Sequence, residues 1–374
     1  MKNPFQYGKI AEKEHFIDRD KDRSFLKSAL FSGTNVILVS PRRWGKSSLV
    51  KQAMAELEAQ ESNVRVCFID AYTITSSAEF YSVFAREVLR ATSSHVESVL
   101  QTIGKFLKSV APKVSFSPEP MSDFSLSFSI ADNGQDETEV LQLPERIAQD
   151  KGLQIIVCID EFQSLSKLSD YSRLESRMRS VWQHQQSVSY CLYGSQRHMM
   201  AQIFDSSEKP FYRFGQIYHL PKIDHQDWMR YITDRFALTG KTISTHFADK
   251  IITTVECHSW YVQQLAAAVW NFTDEQVTDD AFQQALEWCM DVNSEAYMRL
   301  CDNLSEQQIE LLRAVARGEQ QLSSTQVLRR YRMGTSASVT KNKRVLINMD
   351  VLALGNRQLT FLDPIFKIWF TSHF

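Results

Sequence analysis

No Cys-x-x-C pair occurs in the chain, although six cysteines stand at positions 67, 158, 191, 257, 289 and 301. That absence removes the usual zinc-site and redox-motif spacings, and no disulfide framework is suggested. Cys67, Cys158 and Cys191 fall instead inside apolar strand-like runs. There a free thiol behaves as a small buried hydrophobe. The chain also lacks any apolar run approaching the roughly 18 residues that a membrane helix needs. Its opening residues, MKNPFQYGKIAEKEHF, hold no apolar segment of the secretory kind. Together these absences give the expectation of a reducing, cytoplasmic setting with no membrane span. Strong charge of one sign is missing too: 42 Lys and Arg against 44 Asp and Glu leave −2. This argues against wholesale coating of nucleic acid and leaves room only for a local basic face.

What is present is ordinary in bulk. The 374 residues are 43% hydrophobic and 23% charged, enough chain for two or three globular domains. The specific signal lies at 35–48, NVILVSPRRWGKSS. A P-loop asks for G-x-x-x-x-G-K-[ST] between a buried strand and a helix. Val36 to Val39 supply the strand, Gly45-Lys46-Ser47 close the loop, and a helix opens through Ser47 and Ser48. Gly45 lets the backbone come close to phosphates, and the helix N-terminus favours anionic oxygens. Lys46 is expected to reach the β- and γ-phosphates of ATP, and Ser47 to bind Mg²⁺. The nucleotide-binding segment is thus Ser40, Pro41, Arg42, Arg43, Trp44, Gly45, Lys46, Ser47 and Ser48, with Ser40 where the pattern has its first glycine. Arg42 and Arg43 either touch phosphate or face solvent and nearby acids. Thr239-Gly240-Lys241-Thr242 also contains G-K-T, but Arg235 stands in place of the first glycine. Met229 to Leu238 before it reads as an amphipathic helix with Gly240 as its C-cap, so no nucleotide role is given to it.

A P-loop needs a second strand that carries carboxylates. Ile155 to Ile159 is apolar throughout and ends in Asp160-Glu161. Asp160 is read as the second Mg²⁺ residue and Glu161 as the base that polarises the attacking water. The plainer alternative is that the two acids cap a helix over Phe162 to Leu168. Val64 to Asp70 and Val188 to Ser195 read as further parallel strands, with helices from about Ala78 and over Leu174 to His184. Alternation of this kind predicts a doubly wound α/β sheet with ligands at the carboxyl ends of strands. Ser195, with Gln196, then either senses the γ-phosphate or forms an ordinary polar turn. Arg213, in Lys209-Pro210-Phe211-Tyr212-Arg213-Phe214, is either an arginine that steadies transition-state charge, in cis or from a neighbouring subunit, or a surface residue among aromatics.

With these pieces in place the chain resembles the archaeal-type ATPases, a branch of the STAND and AAA-like P-loop ATPases. The resemblance rests on Asn3-Pro4-Phe5, Phe16-Ile17-Asp18-Arg19, the loop Ser40 to Ser47, Ile159-Asp160-Glu161-Phe162 and Pro210-Phe211-Tyr212-Arg213. It continues in Cys257-His258-Ser259-Trp260-Tyr261-Val262-Gln263-Gln264-Leu265 and Asp363-Pro364-Ile365-Phe366-Lys367-Ile368-Trp369. The resemblance implies that Phe16 to Arg19 lies near the adenine and His258 in a lid segment near the nucleotide. The family usually has Gly-His-Pro there, and Cys257 and Ser259 replace the flanking residues.

After about Lys222 the composition turns helical. Phe236, Ile243, Phe247, Ile251, Ile252, Val262, Leu265, Ala266 and Val269 recur at helical spacing. From Leu304, three helices and two short strands, Val351–Leu354 and Gln358–Leu362, predict a winged helix. Between Ser305 and Phe374 ten basic residues face five acidic ones, a surplus of five. Lys341, Lys343 and Arg344 fall on the expected recognition helix and Arg357 at the wing tip, positions suited either to duplex DNA or to a solvated protein-binding face. Val114–Pro118 and Phe124–Ile130 alternate strictly and, bounded by Pro118-Glu119-Pro120 and Asp132-Asn133-Gly134, predict an inserted β-hairpin over about 111–132, a partner-docking surface or a pair packed on the sheet edge. The expected division is therefore 1–222, P-loop ATPase; 223–303, helical lid; and 304–374, winged helix. Three functions follow: a Mg²⁺-dependent ATPase, a non-hydrolysing ATP/ADP switch working through protein partners or self-association, and a nucleotide-independent DNA regulator. The last fits poorly with Lys46, Ser47, Asp160 and Glu161 all in place.

Overall fold

The computed structural model describes residues 2–10, 16–17, 19–93, 96–107, 111–116, 124–129, 135–355 and 358–374. The chain packs as two units. One holds 19–42 and 46–221, the other the described part of 1–18 together with 43–45 and 222–374.

The first unit alternates strand and helix. Its elements are α1 (Asp20–Phe31), β1 (Val36–Val39), α2 (Lys46–Gln60), β2 (Val64–Asp70), α3 (Ser77–Thr92), α4 (Val96–Phe106), β3 (Ala111–Phe116), β4 (Phe124–Ser129) and α5 (Gln135–Lys151). They continue as β5 (Gln154–Asp160), α6 (Tyr171–Trp182), β6 (Val188–Gly194), α7 (Arg197–Phe204) and β7 (Gln216–His219). Five strands form one parallel sheet in the order β2-β5-β6-β1-β7. β1 and β6 are buried along their whole length, as a sheet covered on both faces requires. The apolar runs that marked β1, β2, β5 and β6 come from that double burial. β7 gives no such signal, because its four residues Gln216 to His219 are largely exposed at the sheet edge.

Two local expectations are corrected. The segment after Glu161 is a short 3₁₀ turn, Phe162–Lys167, and neither acid caps it, since Glu161 has no side-chain cap bond and Asp160 accepts from the Glu161 N–H instead. The pair β3–β4 is antiparallel, Phe116 opposite Phe124, and stands apart from the main sheet. It packs against α3, which itself lies on β2, and among the described residues it pairs with no strand of the main sheet. Its expected boundaries at 118–120 and 132–134 lie outside the described residues.

The second unit is helical. It contains α8 (His225–Ala237), α9 (Thr245–Thr254), α10 (Ser259–Phe272), α11 (Asp279–Asp302), α12 (Glu306–Ala316), α13 (Thr325–Arg330) and α14 (Ser336–Asn348), then β8 (Leu352–Gly355), β9 (Gln358–Phe361) and α15 (Pro364–His373). Local chemistry starts these helices: Asp224, Ser244, Thr278, Ser305, Ser324, Thr335 and Asp363 each accept a first-turn N–H. Ser305 and Gln308 form a reciprocal capping box. One continuous core joins the helices, from Trp228 and Phe236 through Val262 and Leu265 to Phe366 and Trp369. The N-terminal residues share it. Phe5 packs against Tyr231 and Phe236, and the Asn3 amide donates to the Ala267 carbonyl at 2.9 Å. The helices α12 to α14 followed by the β8–β9 hairpin have winged-helix order. Lys241, of the second G-K-T, is held by the Trp270 carbonyl at 2.8 Å and lies 4.0 Å from that ring centre.

Close backbone packing sets the entry to β7. A Cβ on Gly215 would meet the Asn35 carbonyl oxygen at 2.4 Å and its carbon at 2.7 Å. Backbone at that distance has no rotamer with which to give way. Gly215→Ala is therefore expected to destabilise the fold by about 1–3 kcal/mol, the usual range for overpacking. Urea unfolding with a lowered midpoint and an unchanged slope would show it.

Candidate functional site

β1 runs into the loop and α2 begins at Lys46, so strand, loop and helix N-terminus meet as phosphate binding requires. Gly45 adopts φ 88°, a left-handed conformation that explains its lack of a side chain. Ser40 is different: it is fully buried, its φ is not positive, and its hydroxyl donates to the Pro41 carbonyl at 3.1 Å. Nothing in the backbone at that position demands glycine. Arg42 is exposed and Ser48 buried at the start of α2.

The sheet order brings the acids to the loop. β6 lies between β1 and β5, so the carboxyl ends of these three parallel strands emerge together. Ser47 donates to Asp160 at 2.5 Å, a hydroxyl and a carboxylate side by side. These are the hard oxygen donors that Mg²⁺ takes, so the residues present fit that ion. Lys46 is only 5% exposed and its ammonium donates to the Pro41 carbonyl at 3.4 Å. Burial pulls the Lys46 ammonium below its ordinary range, while Glu161 and Asp160 pull it back up. Burial likewise raises the Asp160 carboxyl, opposed by the Ser47 hydrogen bond.

Glu161 stands just beyond β5 with φ 49°, a strained left-handed turn for a residue with a side chain. Its carboxylate accepts from Ser195, at the end of β6, at 2.8 Å, and from the amide of Gln163. Ser195 is thus brought to the acid pair. No spacing rule marks Gln163, a glutamine in a 3₁₀ turn; its burial and its hydrogen bond to Glu161 single it out. Gly194 leaves it room, since a Cβ there would meet the Gln163 side-chain oxygen at 1.9 Å.

Arg213 is placed otherwise. It is exposed in the turn before β7, with φ 54° and its guanidinium 5.1 Å from the Tyr212 ring centre. In the helical unit, Arg43 and Trp44 of the loop lie among side chains of α10 and its N-cap. Arg43 donates to the Tyr261 hydroxyl at 3.2 Å and covers the Trp260 ring at 4.6 Å, and the Trp44 and His258 rings meet edge-on at 6.2 Å. Burial, then Lys222, push the His258 imidazole down to about 3, so it is neutral at physiological pH. Its Nδ1 has no hydrogen-bond partner among the described residues. Cys257, where the resembling family has glycine, takes φ 55°, the conformation glycine favours. On α14, Lys341 and Arg344 are exposed and Lys343 is half-buried, whereas Arg357 lies outside the described residues.

Two family models match the chain: "Predicted AAA-ATPase" over residues 6–193 and "Probable winged helix domain" over residues 295–372. Among curated protein sequences none matches. Among solved structures, a Walker-type ATPase of Pyrococcus abyssi is similar at TM-score 0.70 and 16% identity, covering 98% of this chain and 99% of its own. The ORC2 protein of Aeropyrum pernix, solved in ADPNP-ADP complexes, follows at TM-score 0.53 and 13% identity, with 98% of each chain covered. The Aeropyrum pernix ORC1 protein, solved in complex with DNA, reaches 0.50 at 12% identity, covering 96% of this chain and 94% of its own. At these identities the likeness is one of fold. No helix among the described residues is long and apolar enough to cross a membrane.

Because the raised Asp160 carboxyl favours its neutral form in the folded chain, ionisation there subtracts from stability. The loss sets in as pH rises past the ordinary carboxylate range and is complete above the raised value. Asp160→Asn can keep both hydrogen bonds without the charge. It is expected to raise the ligand-free unfolding temperature by about 1–4 °C at neutral pH. The gain should vanish in acid, as calorimetry across pH would show.

Proposed function

Because the chain belongs to the predicted AAA-ATPase family, we propose that it binds ATP with Mg²⁺ at Ser40–Ser48 and hydrolyses it, moving a lid and the winged helix on duplex DNA. The observation that carries this reading is the meeting of Lys46, Ser47, Asp160, Glu161 and Ser195 at the ends of three adjacent parallel strands. A protein that only bound DNA would have no use for a buried lysine, a hydroxyl–carboxylate pair and a second, strained acid in one place.

In this mechanism the loop N–H groups and Lys46 hold the phosphates. Ser47 and Asp160 hold Mg²⁺, which when bound supplies positive charge against that of the phosphate oxygens. Glu161 accepts a proton from the attacking water, and Ser195 fixes the carboxylate that does so. The Glu161 carboxylate already accepts from Ser195 and Gln163, so one of these bonds is released as the water is engaged. Arg213, in cis or from a second copy, steadies the developing charge once its turn closes on the site. The division 1–222, 223–303 and 304–374 describes what moves: a catalytic domain, a lid and a winged helix. Lys341, Lys343 and Arg344 on α14, with Arg357, contact DNA phosphates. A second reading, a non-hydrolysing ATP/ADP switch acting through a protein partner, draws on the same occupied Glu161.

Turnover separates the two readings. Lys46→Ala should lose ATP binding in calorimetry, and Glu161→Gln should keep it while phosphate release falls about 10²–10⁴-fold. Arg213→Ala should cost about 10³-fold or more if it faces the phosphate. Tight binding without turnover in the wild-type chain, with or without DNA, would leave the switch.

The DNA part has its own test. Lys343→Glu with Arg344→Glu should weaken duplex binding and reduce the slope of log affinity against log salt by about 2, one unit for each phosphate contact. An unchanged slope would assign α14 to a protein partner.

A further inference from the structure

Arg43 of the loop packs with the helical unit to which it belongs. Its guanidinium donates to the Tyr261 hydroxyl at 3.2 Å and lies over the Trp260 ring, two residues on α10. The Tyr261 hydroxyl in turn faces the carboxylate of Asp363. Asp363 also accepts from the Tyr297 hydroxyl of α11 at 2.9 Å, and its other oxygen caps α15 by accepting the Phe366 N–H at 2.9 Å. The two tyrosines are nearly buried, at 3% and 7% exposure, while Asp363 is half-buried and Arg43 is exposed at the outer end of the chain of contacts. The order of donors is fixed: Arg43 can only donate, Asp363 when ionised can only accept, and the Tyr261 hydroxyl does one of each. Burial first, then Asp363, push the Tyr261 hydroxyl up from its ordinary value, and Arg43 draws it back.

We infer that Arg43, Tyr261 and Asp363 form a polar relay through which nucleotide at the loop is felt by the first turn of α15, the closing helix of the winged-helix domain. The inference rests on the proposed nucleotide reading. An incoming phosphate competes with Tyr261 for the Arg43 guanidinium. Once Arg43 turns to phosphate, Tyr261 loses its donor and Asp363 loses the cation that balances it, while Asp363 still caps α15. The N-terminal turn of α15 is where the loss registers, because its first bound amide, that of Phe366, shares the Asp363 carboxylate with the relay. Arg43 itself sits in a left-handed turn of the loop, with φ 65°.

The test is amide hydrogen exchange of the full chain with and without Mg·ADP, with nucleotide affinity measured separately by calorimetry. In the wild type, Mg·ADP should change exchange in the first turn of α15 about 5-fold or more, the lower end of ordinary allosteric coupling. Tyr261→Phe removes the hydroxyl, and Asp363→Asn removes the charge while keeping a residue that caps helices well. Both should bind Mg·ADP and lose the response in α15. Tyr297→Phe removes a branch of similar burial and should keep it. The relay is overturned if the wild type binds Mg·ADP with α15 unmoved, if both relay variants respond as the wild type does, or if Tyr297→Phe abolishes the response equally. A wild type that binds no Mg·ADP overturns the nucleotide reading, and the relay with it.

Discussion

In a parallel sheet the carboxyl ends of neighbouring strands emerge side by side, and here β6 holds β1 and β5 at a fixed spacing. The candidate site follows from that pairing. β1 delivers Lys46 and Ser47, β5 delivers Asp160 and Glu161, and β6 delivers Ser195 between them. Slip β6 by one residue and Ser195 no longer reaches Glu161, while the buried faces of the strands exchange sides. The full burial of β6 makes such a slip costly, so the same apolar residues that hold the sheet together hold the chemistry in register.

The site by itself opposes folding. Lys46 and Asp160 are both pushed by burial toward their neutral forms, and Glu161 sits in a left-handed conformation. Each feature opposes folding and each suits a polyanion with a divalent cation, which would stabilise both charges at once. The surrounding core offsets this cost. Phe162 packs against Phe204 and Phe211, and Phe211 lies edge-on to Phe214, which pins the segment that carries Arg213. A buried Glu175 near Lys209 anchors the start of the same segment.

The helical unit shows a related trade. Glu256 and Cys257 both adopt left-handed backbone, and His258 then begins α10 as a neutral, buried cap residue. Cys257 takes this backbone without being glycine, and His258 packs edge-on against the Tyr261 and Trp44 rings. Lys222 supports the arrangement, its ammonium lying over the Trp44 ring at 5.9 Å and donating to the Glu256 carbonyl.

The sequence by itself determined the elements whose chemistry is local. Val36 to Val39 before Gly45-Lys46-Ser47, and Ile155 to Ile159 before Asp160-Glu161, are legible because strands buried on both faces must be continuously apolar and phosphate loops must be small and polar. The winged-helix order was legible for the same reason, through helical spacing and two short alternating runs. β7 was not, since an exposed four-residue edge strand carries no apolar signature. Nor was the docking of β3–β4 on α3, because alternation says that one face is covered and not by what. Only the tertiary structure decided that Gln163 and Ser195 share Glu161, and that Arg43 meets Tyr261, 218 residues away along the chain. Those pairings depend on which strand lies beside which and on how α10 turns its buried face. A residue's identity sets what it can bond, but distance in the fold sets what it does bond.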